Sequence, residues 1–294
     1  MALDGRSVCE RSCLMDDYHI RKMNKSELQL AVDWAAREGW NPGLHDAELF
    51  YHGDPAGFFA GEIDGRVVAV GSAVCYDEYF AFCGLYIVDP AFRGRGLGLA
   101  LTRARLAYCG DRNVGIDGVL ENVKIYQRVG YKPFHMNHRF QIEASQQDFD
   151  GRRIEQISEA HMAEVMKYER QCFPASRETF LRHWIQQPQG RALFFSSGEQ
   201  IRGFAVRRKC LEGYKVGPLF ADDIHVAREL FKALQEDISG EILILDVPEN
   251  NPAAMELAEE NAMQEVFATM RMYQKQLPDI DHSKVYGITS FELG

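Results

Sequence analysis

The segment Arg93-Gly94-Arg95-Gly96-Leu97-Gly98 is the part of the chain best equipped to do chemistry. It follows the apolar run Leu85-Tyr86-Ile87-Val88 and an Asp89-Pro90 turn. It leads without a break into LGLALTRARLAYC, where Leu97, Leu101, Ala104 and Tyr108 recur at helical spacing. Strand, glycine-rich turn and helix start, in that order, make a cradle for an anion. The first N–H groups of a helix have no acceptor within it, and the helix dipole adds partial positive charge. Glycine lets a diphosphate reach the backbone with no Cβ in the way, and Arg93 and Arg95 bring full charges and forked donors. Two common phosphate loops do not fit. The dinucleotide spacing GxGxxG needs glycine at position 99, where Leu99 stands, and GxxxxGK[ST] is absent.

Elements that would hold this loop can be read on both sides of it. YHIRKM reads as a strand, ELQLAVDWAAREG as a helix with Ser26 as N-cap and Gly39 at its end, and HDAELFYH as a second, short helix. GFFAGEI and RVVAVGSAVCY form a hairpin about the Asp64-Gly65 turn. EYFAFCGLYIV reads as one continuous strand running into the loop. NVGIDGV, a helix through NVKIYQRV and a closing strand near NHRFQIE follow the long helix. Asp117, in an Asp-Gly pair, reads as the turn after a strand. EASQQDFDGRR is polar and without apolar period, and beyond it the same order of elements begins again. Phe58-Phe59 and Ala69-Val70 of the first hairpin return at the same separation as Phe194-Phe195 and Ala205-Val206. The expected architecture is mixed α/β, with two tandem copies of one unit at 17–143 and 153–294 and a linker at 144–152.

A chain of 294 residues, 46% apolar and 26% charged, suits two globular domains. Its net charge of −10, shared evenly by the two halves, argues against nucleic acid and anionic membrane as partners. The opening MALDGRSVCERSCLMDD lacks the apolar stretch of a leader, and nothing approaches the roughly 18 apolar residues of a membrane span, so the expected compartment is the cytoplasm. Seven cysteines, an odd number with no CxxC pair, read as reduced thiols. Nine histidines without ligand spacing give no reason to expect a metal.

The loop has the form [Q/R]xxGx[G/A] five residues after Val88, and Tyr126 stands four residues before Gly130-Tyr131. Together these resemble the acetyl-CoA signature of the GNAT superfamily. The stretch GIDGVLENVKIYQRVGYKPFHMNHR and the tail RMY…YGITSFELG are similar to tandem-GNAT proteins of the YitH/holothin acyltransferase type. The resemblance implies, for each unit, a mostly antiparallel twisted sheet with a central parallel pair flanked by helices. It also implies direct transfer of an acetyl or other acyl group from acetyl-CoA to an amine in a ternary complex. Ile87, Val88, Arg93, Gly94, Arg95, Gly96, Leu97 and Gly98 would hold acetyl-CoA, and the backbone N–H groups of Tyr86, Ile87 and Val88 would polarise the thioester carbonyl. Tyr126 would protonate the departing thiolate, since a phenol titrating near 10 keeps its proton until it is used. The family often has asparagine seven residues before this tyrosine. Val119 stands there, and Asn122 is the substitute for gripping the pantetheine arm. Acceptor contacts would fall on Trp40, Asn41 and Asp46, and on Phe134 to Arg139, with His135 among them.

Phe82, Gly84 and Tyr86 occupy the strand before the loop, and none is a base. Glu78 is the candidate nearby, with Asp77, His135, His138 or a carboxylate of the second half as alternatives. In the second copy the loop position reads GPLFADDIHVAREL, where Asp222 and Asp223 favour the helix but repel a phosphate, and Leu257 replaces the tyrosine. That half is expected to bind no acetyl-CoA and to shape an acceptor pocket between the domains. The leading expectation is a small-molecule amine as acceptor and a monomeric or homodimeric enzyme. Transfer to protein lysines or N-termini, and a non-catalytic acetyl-CoA-binding module, are the alternatives.

Overall fold

The computed structural model describes residues 17–294. Residues 1–16, and with them Cys9, Cys13 and the expectation about a leader, lie outside the described residues. Strand β1 (His19–Lys22) leads through a single 3-10 turn into helix α1 (Leu28–Arg37). Asn24, not Ser26, caps this start. The Asn24 side chain accepts the Glu27 N–H at 3.2 Å, and the Glu27 carboxylate accepts the Asn24 N–H at 2.9 Å. Ser26 instead donates its hydroxyl to the Asn24 side-chain oxygen at 2.6 Å. Helix α2 (Asp46–Tyr51) and the hairpin of β2 (Phe58–Ile63) with β3 (Arg66–Ser72) follow.

After the short β4 (Val74–Cys75), the single strand expected over 78–88 is in fact two pieces, β5 (Phe80–Phe82) and β6 (Ile87–Val88). Leu85, at φ +46°, breaks the extended run. The pieces have different partners. β6 pairs antiparallel with β3, whereas β5 runs parallel to β7 (Asn113–Val119). The last bond across that parallel pair is the Cys83 N–H to the Gly115 carbonyl at 2.9 Å, and beyond it β6 and β7 part. Helix α3 (Leu97–Cys109) precedes β7, and helix α4 (Val123–Arg128) and β8 (Lys132–Glu143) follow it.

The second half repeats this order. It contains β9 (Ile154–Gln156), α5 (Met162–Cys172), α6 (Glu178–Ile185), β10 (Arg191–Ser197), β11 (Gln200–Lys209) and β12 (Tyr214–Ala221). Then come α7 (Ile224–Ala233), β13 (Ile242–Pro248), α8 (Pro252–Glu260), β14 (Gln264–Tyr273) and β15 (Val285–Gly287). Its parallel pair is β12 with β13. Each half therefore supplies mixed strands with one parallel pair and flanking helices.

The halves exchange their last long strands. β14 lies between β7 and β8, and β8 lies between β14 and β13, all antiparallel. One sheet thus runs β4-β5-β7-β14-β8-β13-β12-β11-β10-β9 through both halves, beside a smaller sheet β1-β2-β3-β6. The register sets Arg271 of β14 opposite Asp117 of β7. The Asp117 side chain is buried, and its carboxylate takes a fork from Arg271 at 2.8 and 2.7 Å and a bond from the Asn137 amide at 2.7 Å. The expected Asp-Gly turn is accordingly the middle of a strand, because β14 supplies a ladder that its own half does not. One apolar cluster spans both halves, with Phe50 of α2 stacked on Trp184 of α6 at 6.2 Å. Among the described residues no helix is long and apolar enough to cross a membrane, and Cys75, Cys83, Cys109, Cys172 and Cys210 are free thiols.

Candidate active site

A cavity of about 730 Å³ occupies the gap where β6 and β7 part, under the start of α3. Among the described residues, the N–H groups of Gly94 through Leu99 meet no protein acceptor; the first of this region to do so is Ala100, bonded to the Gly96 carbonyl at 3.1 Å. Gly96 caps α3 in the left-handed region at φ +89°, and no atom lies within 4 Å of where its Cβ would be. Such a row of unpartnered donors beside bare backbone fits a diphosphate. Arg93 is held in place by its Nε on the Val88 carbonyl at 2.8 Å and by Glu38 at 2.5 Å. Arg95 turns to the Ala91 carbonyl and the Phe92 ring and does not line the cavity.

Tyr86, Ile87 and Val88 form one wall of the cavity. Asp89 donates its N–H to the Val68 carbonyl at 2.9 Å, so the alternation of an antiparallel ladder turns the Val88 N–H to the other edge, toward the cavity. Tyr126 lines the opposite wall with its ring against Gly118 of β7, and Asn122 lines the cavity from the N-cap position of α4. Burial pushes the Tyr126 hydroxyl above the usual phenol range, with a bond to Asn122 acting the other way, so it is protonated at neutral pH. Arg105 is an addition to the residues expected here. The buried stripe of α3 is Leu97, Leu101, Arg105 and Cys109, not the expected face with Ala104 and Tyr108. Arg105 stacks on Tyr86 at 5.0 Å and donates to the Gly84 carbonyl at 3.1 Å. The i, i+4 spacing from Leu101 is its signal in the sequence.

Of the acceptor candidates, Trp40 and Arg139 reach the cavity. The Trp40 carbonyl receives Arg139 at 3.0 Å and Lys215 at 2.9 Å. Others lie elsewhere. Asn41 is a clamp between halves, bonded both ways to the Glu212 backbone at 2.8 and 2.9 Å. Asp46 is buried against Arg208 at 3.2 Å and the Gly43 N–H at 2.7 Å. His135 borders a separate small cavity with His282 and Arg271, where burial pushes its pKa down to about 3. Glu78 is exposed in the turn between β4 and β5, away from the cavity, and Asp77 caps that turn by accepting the N–H groups of Tyr79 and Phe80. His138 sits between Glu265 and Glu249 outside the cavity, and Phe134 is partly exposed. In their place the second half sends in Phe267 and Thr269 from β14 and Phe291 and Glu292 from the tail. Nothing local in the sequence marks these, since the strand exchange brings them.

The corresponding helix start in the second half carries a side-chain cap of its own. Asp223 accepts the Val226 N–H at 3.0 Å. Asp222 bonds Arg202 at 2.6 Å, Lys284 at 2.9 Å and the Tyr168 hydroxyl at 2.8 Å. Leu257 is buried in the core.

With its two parallel strand pairs, one from each half, and its loop between diverging strands, the chain belongs to the GNAT acyltransferase family and carries two GNAT domains in tandem. The Acetyltransferase (GNAT) family model matches residues 24–131, and an Acetyltransferase (GNAT) domain model matches residues 165–287. Holothin acyltransferase of Pseudoalteromonas sp. (strain SANK 73390) is 30% identical over 269 residues, which are 91% of this chain and 92% of that protein. A putative acetyltransferase from Pyrococcus horikoshii superposes with a TM-score of 0.81 at 19% identity, covering 95% of this chain and 96% of its own. A tandem GNAT protein from the clavulanic acid biosynthesis pathway gives 0.60 at 13% identity, over 87% and 98%. At these identities the two structures speak for the fold.

Proposed function

We propose that this protein is an N-acetyltransferase that moves the acetyl group of acetyl-CoA to the amine of a small molecule, with both held at once. Acetyl-CoA, when bound, supplies the activated acyl group. The N–H groups from Gly94 to Leu99 receive its diphosphate, and the Val88 N–H donates to the carbonyl oxygen as negative charge develops there. Tyr126 gives its hydroxyl proton to the leaving sulfur. The observation that carries this reading is one continuous cavity, which runs from the free N–H row past Tyr126 to a wall of Trp40, Phe267 and Phe291. Because β14 and the tail form that wall, the acceptor end is enclosed by the second half, which favours a small amine over a peptide. The helix start at Asp222-Asp223 has a side-chain cap and two carboxylates where a phosphate would lie, which supports a single acetyl-CoA site per chain.

Release of free thiol from acetyl-CoA, followed with a panel of small primary amines and separately with lysine peptides, tests the proposal. The expected result is release that depends on a small amine. Turnover confined to peptides refutes the acceptor class, and no amine-dependent release refutes catalysis.

A further inference from the structure

An amine that enters as its ammonium ion must lose a proton before it attacks, and four carboxylates border the cavity. What they touch separates them. Glu38 is paired with Arg93 at 2.5 Å. Asp117 commits both oxygens to Arg271 and one of them also to Asn137. Glu121 is exposed to solvent on the turn before α4. Glu292 is buried, 5% exposed, and among the described residues its side chain has no hydrogen-bond partner.

Its position is fixed by the tail. Leu293 and Gly294 donate to the Ser290 hydroxyl and carbonyl at 3.1 and 3.0 Å, and the Tyr76 hydroxyl donates to the Leu293 carbonyl at 2.7 Å. Gly84 admits this turn, because a Cβ there would collide with the Glu292 backbone. Glu292 therefore abuts the strand segment that runs into Tyr86-Ile87-Val88. The charged groups around it are Arg139 on β8, Arg208 on β11 and Lys215 on β12, with two further carboxylates. Asp246 on β13 forks Arg139 at 2.7 and 2.8 Å, and Asp46 on α2 holds Arg208. Lys215 has only the Trp40 carbonyl. Glu292 lies near these cations with no direct bridge to any of them, so its carboxylate is committed to no ion pair.

We infer that Glu292, contributed by the second half, is the catalytic base that takes the proton of the acceptor amine, an assignment that rests on the acyl-transfer reading. One N–H proton of the ammonium passes to the Glu292 carboxylate, and the freed nitrogen lone pair forms the C–N bond to the acyl carbon. The C–S bond breaks, and the sulfur keeps its electron pair and takes the Tyr126 proton. The nitrogen loses its second proton to solvent, from which Tyr126 is reprotonated, and Glu292 returns its own proton to solvent. The strand before the loop needs no acidic residue, because the tail of the other half delivers one.

The test compares 2-phenylethylamine, whose ammonium titrates near the lysine value of about 10, with aniline, which is neutral at neutral pH and needs no base before attack. Glu292→Gln is expected to lower kcat/KM for 2-phenylethylamine by about 10²–10⁴-fold and to lower that for aniline far less. Acetyl-CoA affinity should stay within about twofold of the parent value. Glu292→Asp, which keeps the carboxylate, is expected to recover part of the loss and serves as the second variant should the first not fold. Equal losses on both amines, or an unchanged rate on 2-phenylethylamine, overturn the assignment and leave acyl transfer standing. Absence of turnover by the unchanged protein with any amine overturns both.

Discussion

Breaking the Asp117–Arg271 bridge should show how firmly the exchanged strands key the two halves together. The Asp117 side chain is fully buried and that of Arg271 is 9% exposed. Burial pushes the Asp117 carboxyl above the usual carboxylate range even with Arg271 against it, so desolvation outweighs their attraction. Such a pair adds little net stability, but removal of one member strands a buried charge at a cost of about 3–5 kcal/mol. An unfolding entropy of about 2.1 cal/mol/K per residue makes roughly 0.6 kcal/mol/K for this chain, so Arg271→Met is expected to lower Tm by about 5–8 °C. Asp117→Asn should do about the same by stranding the guanidinium. The double variant Asp117→Asn/Arg271→Met carries no stranded charge and should recover most of the loss. The sign with pH follows from the direction of the shift. A carboxyl whose folded pKa is raised binds its proton preferentially in the folded state, so the Arg271→Met deficit is largest at neutral pH and shrinks as pH falls toward the unfolded value near 4. Thermal unfolding followed by circular dichroism at two pH values reads all of this. Single losses under about 1 kcal/mol, or additive losses in the double variant, would refute the reasoning.

Replacing Gly96 with valine forces a side chain into φ +89° and into the open space proposed for the diphosphate. It should cost the fold about 1–3 kcal/mol yet abolish acetyl-CoA binding, while calorimetry on the parent protein gives one site per chain and not two. Tyr126→Phe should leave acetyl-CoA affinity near normal and lower kcat by about 10²–10⁴-fold; an unchanged kcat would return the ring to a packing role. His135 has a folded pKa pushed down to about 3, below its unfolded value near 6.5. The unfolded chain therefore binds the extra proton, and stability is full above about pH 6.5 and falls by up to about 1.4 kcal/mol per pH unit below it. Urea unfolding at pH 7 and pH 5 should show that slope reduced in His135→Gln, and an equal slope in both proteins would exclude His135 as its source.

Local order is legible in the chain of residues alone. The anion cradle from Arg93 to Gly98, the tyrosine before Gly130 and the hairpin about Asp64-Gly65 rest on spacings within a few residues, and the repetition of elements on the recurrence of such local patterns. A row of free N–H groups needs only a glycine turn at a helix start, and both features are written in consecutive residues. Asp222 and Asp223 likewise announce a helix start with its own acidic cap. What the sequence by itself determined was thus the class of unit, its two copies and the end of the cavity where an anion fits. The tertiary structure decided the other end. Asp117 reads as a turn until β14 arrives from more than 140 residues away to pair with it. Asn41 and Asp46 look available until Glu212 and Arg208 occupy them. Glu292 has no meaning in its local context and gains one only where Gly84 lets the tail through. Side-chain pattern along a strand tells which face is buried, but it carries no record of which distant strand will supply the other edge.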